Sequence, residues 1–226
     1  MPPIQTSVIP YITQRKGEVA APDNLMLLLS NRSRARGQER FRLAYADEDP
    51  KDRDGRQVLW ARVSFNDYDD RGLPTGEPEW KLMHPFRQRI TMEALRCQIC
   101  TARARTPLGT IFLAGARDYG DKTPPLLTNQ PPVCQKHVRT AVALCNHLQE
   151  DPVVFLATSA PIHGALGTLY GLIDGELQAV AQPKEPLPSR HGNTPMLLAS
   201  QLVRRLTQFR VLTVDELMRE LAAVPT

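Results

Sequence analysis

The sequence predicts an α+β fold in which antiparallel strands surround a compact cysteine-paired unit and helices close the chain. Three observations carry this. Strand-forming residues cluster between polar loops over 40–83, Cys-x2-Cys and Cys-x2-His pairs bracket residues 97–137, and apolar residues recur at helical spacing beyond 194.

In the first block, Arg40–Tyr45 and Val58–Phe65 flank an Asp/Gly-rich loop and are expected to pair as a hairpin. Glu79–Met83 follows a turn-rich stretch from Asp69 to Gly76 and supplies a third strand, completing a β-meander over 38–83. The loop Asp49 to Gly55 is rich in carboxylates but places Lys51 where a calcium loop needs a ligand, so it is expected to be a turn rather than a cation site. Val153–Thr158 fits a buried strand. The Gly-spaced stretch Gly164–Gly171 lacks the GxGxxG spacing of a nucleotide loop and is expected to lead, through a hairpin, to a strand over Leu177–Gln182. The Pro-rich segment from Pro183 to Thr194 isolates a tail, 194–226, where two amphipathic helices are expected. One carries Met196, Leu197, Leu198, Leu202, Val203 and Leu206. The other starts at a Thr213/Glu216 capping box, with Leu217, Leu221 and Val224 on one face.

Length and composition suit one composite domain: 226 residues, 42% apolar and 23% charged, with segments 38–83, 92–150, 152–182 and 194–226. The apolar runs near Asn24–Leu29 and Pro152–Ala157 are far shorter than the ~18 residues a membrane span needs. Met1 to Gln5 has neither the charged nor the apolar region of an export signal, so a cytoplasmic location is expected.

Four cysteines in such a chain favour metal over disulfides, because the cytosol keeps thiols reduced. Cys97-x2-Cys100 is separated by 33 residues from Cys134-x2-His137. A two-residue gap lets both ligands of a pair point inward from one turn, and two pairs close the tetrahedron that structural Zn²⁺ prefers. Pro131-Pro132 precedes the second pair, and Val138, Ala141, Val142, Cys145 and Leu148 continue at helical spacing. Cys134 and His137 therefore belong to a first helical turn, with Cys145 a core thiol and His147 near the helix end. Knuckle, hairpin and helix in this order resemble the treble-clef zinc finger, with Thr110–Ala114 and Leu126–Thr128 as the implied hairpin strands and a loop through Asp118 to Pro125.

Four protein ligands leave no open position for catalytic water. The treble-clef HNH nucleases carry a His on the first hairpin strand, whereas Thr106–Ala116 has none, and His84 and His163 have no assignable nucleophile or carboxylate partner. No catalytic set emerges, and a nuclease or hydrolase is the lesser alternative. Taken together, Trp80–Arg87, Cys97-x2-Cys100, Pro131–His137 and Cys145–Leu148 resemble a group of actinobacterial proteins that includes phage- or plasmid-associated members. That resemblance implies fold and metal, with no activity attached.

Charge is distributed in blocks: +4 over 32–43, from Arg32, Arg34, Arg36, Arg40 and Arg42 against Glu39, then −4 over 44–70 and +5 over 81–105. The basic flank of the metal unit comprises Arg87, Arg89, Arg96, Arg103, Arg105, Lys136 and Arg139. It is expected either to support the thiolates or to contact DNA or another anionic partner in a regulatory role. The alternative partner is a protein, docked through the amphipathic helices of 194–226.

Overall fold

The computed structural model describes residues 8–21, 24–29, 41–115, 123–148 and 151–224. The run Arg32 to Arg40, the start of the first block and the greater part of the expected loop from Asp118 lie outside the described residues.

The strands are β1 (Thr13–Arg15), β2 (Leu25–Leu29), β3 (Phe41–Tyr45), β4 (Leu59–Trp60), β5 (Pro78–Met83), β6 (Arg105–Thr106), β7 (Gly109–Gly115) and β8 (Leu126–Thr128). They continue as β9 (Pro152–Ser159), β10 (Ile162–Ile173), β11 (Glu176–Ala181), β12 (Leu187–Pro188), β13 (Leu197–Leu206) and β14 (Gln208–Leu212). Helices α1 (Pro85–Glu93), α2 (Val138–Leu144) and α3 (Val214–Ala222) complete a mixed α+β, mostly antiparallel architecture.

In a four-stranded sheet, β14-β9-β7-β6, the central strands β9 and β7 are buried on both faces. Successive side chains in a strand point to opposite faces, so β7 sends Ile111 and Leu113 one way and Phe112 and Ala114 the other. The first face packs against Cys97, Ile99, Val133 and Val138 and against Leu217 and Leu221 of α3. The second packs against Leu126 and Leu206. The cysteine-paired unit and the C-terminal helix thus share one core.

The six-stranded sheet runs β11-β10-β13-β4, with β12 added to β10 and β8 to β13. It demands small residues where strands cross closely: a Cβ on Gly164 would sit 1.8 Å from the Leu187 carbonyl oxygen, and one on Gly167 would sit 2.1 Å from that of Leu198. Helix α1 lies on β13 through a polar contact. The Gln88 side chain accepts from the Leu202 amide at 2.8 Å and donates to the Leu202 carbonyl at 2.9 Å, as a neighbouring strand would.

Several pairings differ from those expected. Phe41–Tyr45 pairs with β2, not with residues 58–65, and Leu59–Trp60 runs parallel to β13. Pro78–Met83 is a strand, but its partner is β1. Among the described residues these strands form no continuous meander, since each takes a partner outside the block, and the loops between them carry ion pairs such as Arg62 with Asp47 and Asp52. Residues 197–206 form a strand rather than a helix: β13 is buried along most of its length on both faces, which makes its apolar residues near-continuous and mimics helical spacing. The second tail helix forms as expected, with Thr213 Oγ1 accepting from the Glu216 amide and Glu216 from the Thr213 amide. No helix among the described residues is long and apolar enough to cross a membrane.

Candidate metal centre and basic groove

The chain leaves α1 and turns sharply through Cys97–Cys100. The Cys97 amide donates to the Ala102 carbonyl at 2.7 Å and the Thr101 amide to the Cys97 carbonyl at 2.9 Å, and Thr101 adopts φ 60° to close the knuckle. Two further backbone bonds fix it in place: Gln98 N–H to Pro132 C=O at 2.9 Å, and Tyr11 N–H to Ile99 C=O at 3.2 Å. The second pair is anchored on β7, where the Val133 amide donates to the Ile111 carbonyl at 2.9 Å. Residues 135–137 then form a 3-10 turn directly before α2, with the His137 amide bonded to the Cys134 carbonyl.

These anchors bring the Cys97, Cys100 and Cys134 sulfurs and one His137 ring nitrogen within 4.8 Å of one another, so the four residues could hold a metal ion. Cys100 Sγ lies 3.8 Å from Cys134 Sγ, and His137 Nδ1 lies 3.3 Å from Cys134 Sγ and 3.9 Å from Cys97 Sγ. A tetrahedron with metal–sulfur bonds of about 2.3 Å has ligand–ligand edges of about 3.8 Å, and metal–nitrogen bonds of about 2.0 Å shorten the mixed edges to about 3.5 Å. The spacing fits. Burial raises the Cys134 thiol to about 12, and the neighbouring Cys97 and Cys100 push it the same way. Burial likewise raises Cys100 and lowers His137, the latter with help from Lys136. At Cys100 and Cys134 burial, not the basic flank, is therefore the leading cause; a divalent cation would reverse the balance by favouring the thiolates.

The segment between the two pairs departs from the expected hairpin. Thr110–Ala114 pairs with β6 and β9, whereas Leu126–Thr128 is drawn away to β13. Cys145, the residue just beyond α2, is half-buried against the same core but outside the ligand set, and His147 is exposed.

The seven flanking cations divide three ways. Arg103, Arg105, Lys136 and Arg139 line one open groove of about 590 Å³, whose floor reaches Cys134. Arg96 is exposed and donates to the Thr101 carbonyl across the knuckle. Arg87 and Arg89 are buried in α1 and are not presented to a partner: Arg87 is bound to Glu18, and Arg89 is held between aromatic rings. One wall of the groove escaped sequence reading. Met218 lines it, and Asp215 reaches Arg139 at 3.2 Å, from a helix far along the chain with no local signal of this proximity.

These features define a mixed α+β chain with a Cys3His cluster that could hold a metal ion. No family, curated protein or solved structure matches it.

Proposed function

We propose that the chain is a non-enzymatic, zinc-stabilised binding module that grips the phosphate backbone of DNA through the groove beside its metal centre. The observation carrying this reading is the convergence of Arg103, Arg105, Lys136 and Arg139 on one open surface at Cys134. Arginine forks and a lysine ammonium are suited to phosphate oxygens. Three thiolates, a neutral imidazole and Zn²⁺ sum to −1, so the groove keeps a positive excess. With all four ligands supplied by protein, the ion acts as a treble-clef-like scaffold and leaves no site for a reacting water. The adaptor reading has lost the residues that motivated it, since Leu197, Leu202, Leu206, Leu217 and Leu221 are buried in the chain's own core.

A fluorescent duplex at low salt tests the reading. Binding is expected to weaken steeply with salt, each neutralised phosphate contributing a slope of about −0.9 in log K against log salt. Changing the four groove cations to Ala should abolish it while metal content is retained. No binding at low salt, or binding indifferent to those changes, sinks the proposal.

A further inference from the structure

Three arginines, Arg56, Arg89 and Arg204, gather around the C-terminal half of α1. Arg56 Nη2 lies 3.1 Å from Asp54 and 3.4 Å from Glu93. Arg204 spends its donors on backbone, bonding the Met92, Glu93 and Ala160 carbonyls. Arg89 is 7% exposed; its guanidinium carbon is 5.3 Å from the centroids of both the Trp60 and Phe86 rings, and its one hydrogen bond runs from Nη2 to the Lys51 carbonyl. Nε and Nη1 of Arg89, Nε of Arg56 and the indole Nε1 of Trp60 are all buried without a partner.

Three cations thus face two carboxylates, Asp54 and Glu93. No carboxylate among the described residues forms an ion pair with Arg89, and Asp52, the next acid, is committed to Arg62. Burial lowers the Arg89 value and Arg56 lowers it further, opposed by Glu93, Asp54 and Asp52; Arg204 is lowered to about 10 by burial, then by Arg56. A buried cation with unused N–H donors is costly unless an anion completes it. One buried acceptor, Asp54 Oδ2, also lacks a hydrogen-bond partner and faces Arg56 at 3.1 Å, but the unused N–H donors outnumber it. Surplus positive charge and an excess of N–H donors are the recognition chemistry of a small oxyanion.

We propose that Arg89, Arg56 and the Trp60 indole form a binding site for a small oxyanion of the phosphate type, closed in the free chain by Glu93. Glu93 lies one helical turn from Arg89, on the same face. Its contact with Arg56 is long, and both side chains are about a third exposed, at 30% and 35%, so this contact is the one an entering anion displaces. The site shares no residue with the groove.

Trp60 and Trp80 are the two tryptophans, and Trp80 is exposed. Trp80→Phe therefore makes Trp60 the sole indole reporter. Inorganic phosphate titrated at constant ionic strength should change its emission saturably and raise Tm by several degrees, whereas chloride should do neither. Glu93→Gln should tighten phosphate binding several-fold and Arg89→Met should abolish it. Because Arg89→Met removes a core side chain, Trp60→Phe, read by Tm in the otherwise native chain, provides a second test by deleting one N–H donor, and should weaken binding about ten-fold. The groove-cation variant should bind phosphate unchanged. A flat titration, saturation that survives both Arg89→Met and Trp60→Phe, or loss of binding in the groove variant overturns the proposal.

Discussion

Arg87 and Glu18, 69 residues apart, form a fully buried two-point ion pair: Nη1 and Nη2 each donate to a carboxylate oxygen at 2.6 Å, and both side chains are wholly enclosed. The Arg15 and Asn66 amides donate to the same carboxylate. Burial pushes the Glu18 carboxyl up, but the Arg87 bonds and these amides outweigh it and leave it below its ordinary value. The pair ties the N-terminal segment to α1, which leads into the knuckle. Glu18→Gln leaves Arg87 charged, enclosed and uncompensated, a change that costs about 3–5 kcal/mol. Denaturant unfolding should show a loss of that size, with phosphate and duplex binding retained in the folded fraction.

His84 is fully buried; its Nε2 hydrogen-bonds the Ser64 carbonyl at 3.1 Å and its ring stacks on Phe65. Burial, then the nearby Arg87 charge, lowers its value from 6.5 to about 4. Between these two values the unfolded chain binds the extra proton and the folded chain does not. The contribution is therefore complete above pH 6.5 and is lost as pH falls towards 4, amounting to about 3 kcal/mol at most. Unfolding measured at pH 7 and pH 4.5 should show this loss in the native chain and a smaller one in His84→Phe.

Gly164 and Gly167 lie where β10 meets β12 and β13, with no space for a methyl group against backbone. Backbone cannot yield as a side chain tip does. Ala at either position should cost about 3 kcal/mol, whereas Gly175→Ala, at a hairpin turn with open space but φ 85°, should cost only about 1 kcal/mol. Thermal unfolding of the three variants gives the ranking.

Asp215 holds Arg139 at the groove by an exposed ion pair at 3.2 Å. Such pairs contribute about 1 kcal/mol or less, so Asp215→Asn should leave stability unchanged. It frees Arg139 for phosphate and removes a repulsive carboxylate, so duplex affinity should rise about two- to five-fold in a low-salt titration.

How much of this was legible depends on how local each signal is. The ligand set was readable because Cys-x2-Cys and Cys-x2-His each fold as one turn, and the structure brings together Cys97, Cys100, Cys134 and His137. The Thr213/Glu216 box was readable for the same reason. Strand partners were legible only where the pairing is local, as in the expected hairpin of β10 with β11. Leu126–Thr128 and Leu59–Trp60 both join β13, a choice made by distant residues and by Gln88 standing in for a strand. β13 itself looked helical because burial on two faces erases the alternation that marks a strand. Charge misled at Arg87 and Arg89, where a basic run became core through Glu18 and through the Trp60 and Phe86 rings.

The central claim is that Cys97, Cys100, Cys134 and His137 hold one zinc ion as a closed scaffold. The native mass of freshly purified chain, before and after a strong chelator, tests it most directly. The account predicts one zinc ion per chain, lost on chelation together with cooperative unfolding, and absent from Cys134→Ala. A mass with no bound metal, or a fold and stability indifferent to the chelator, would contradict it.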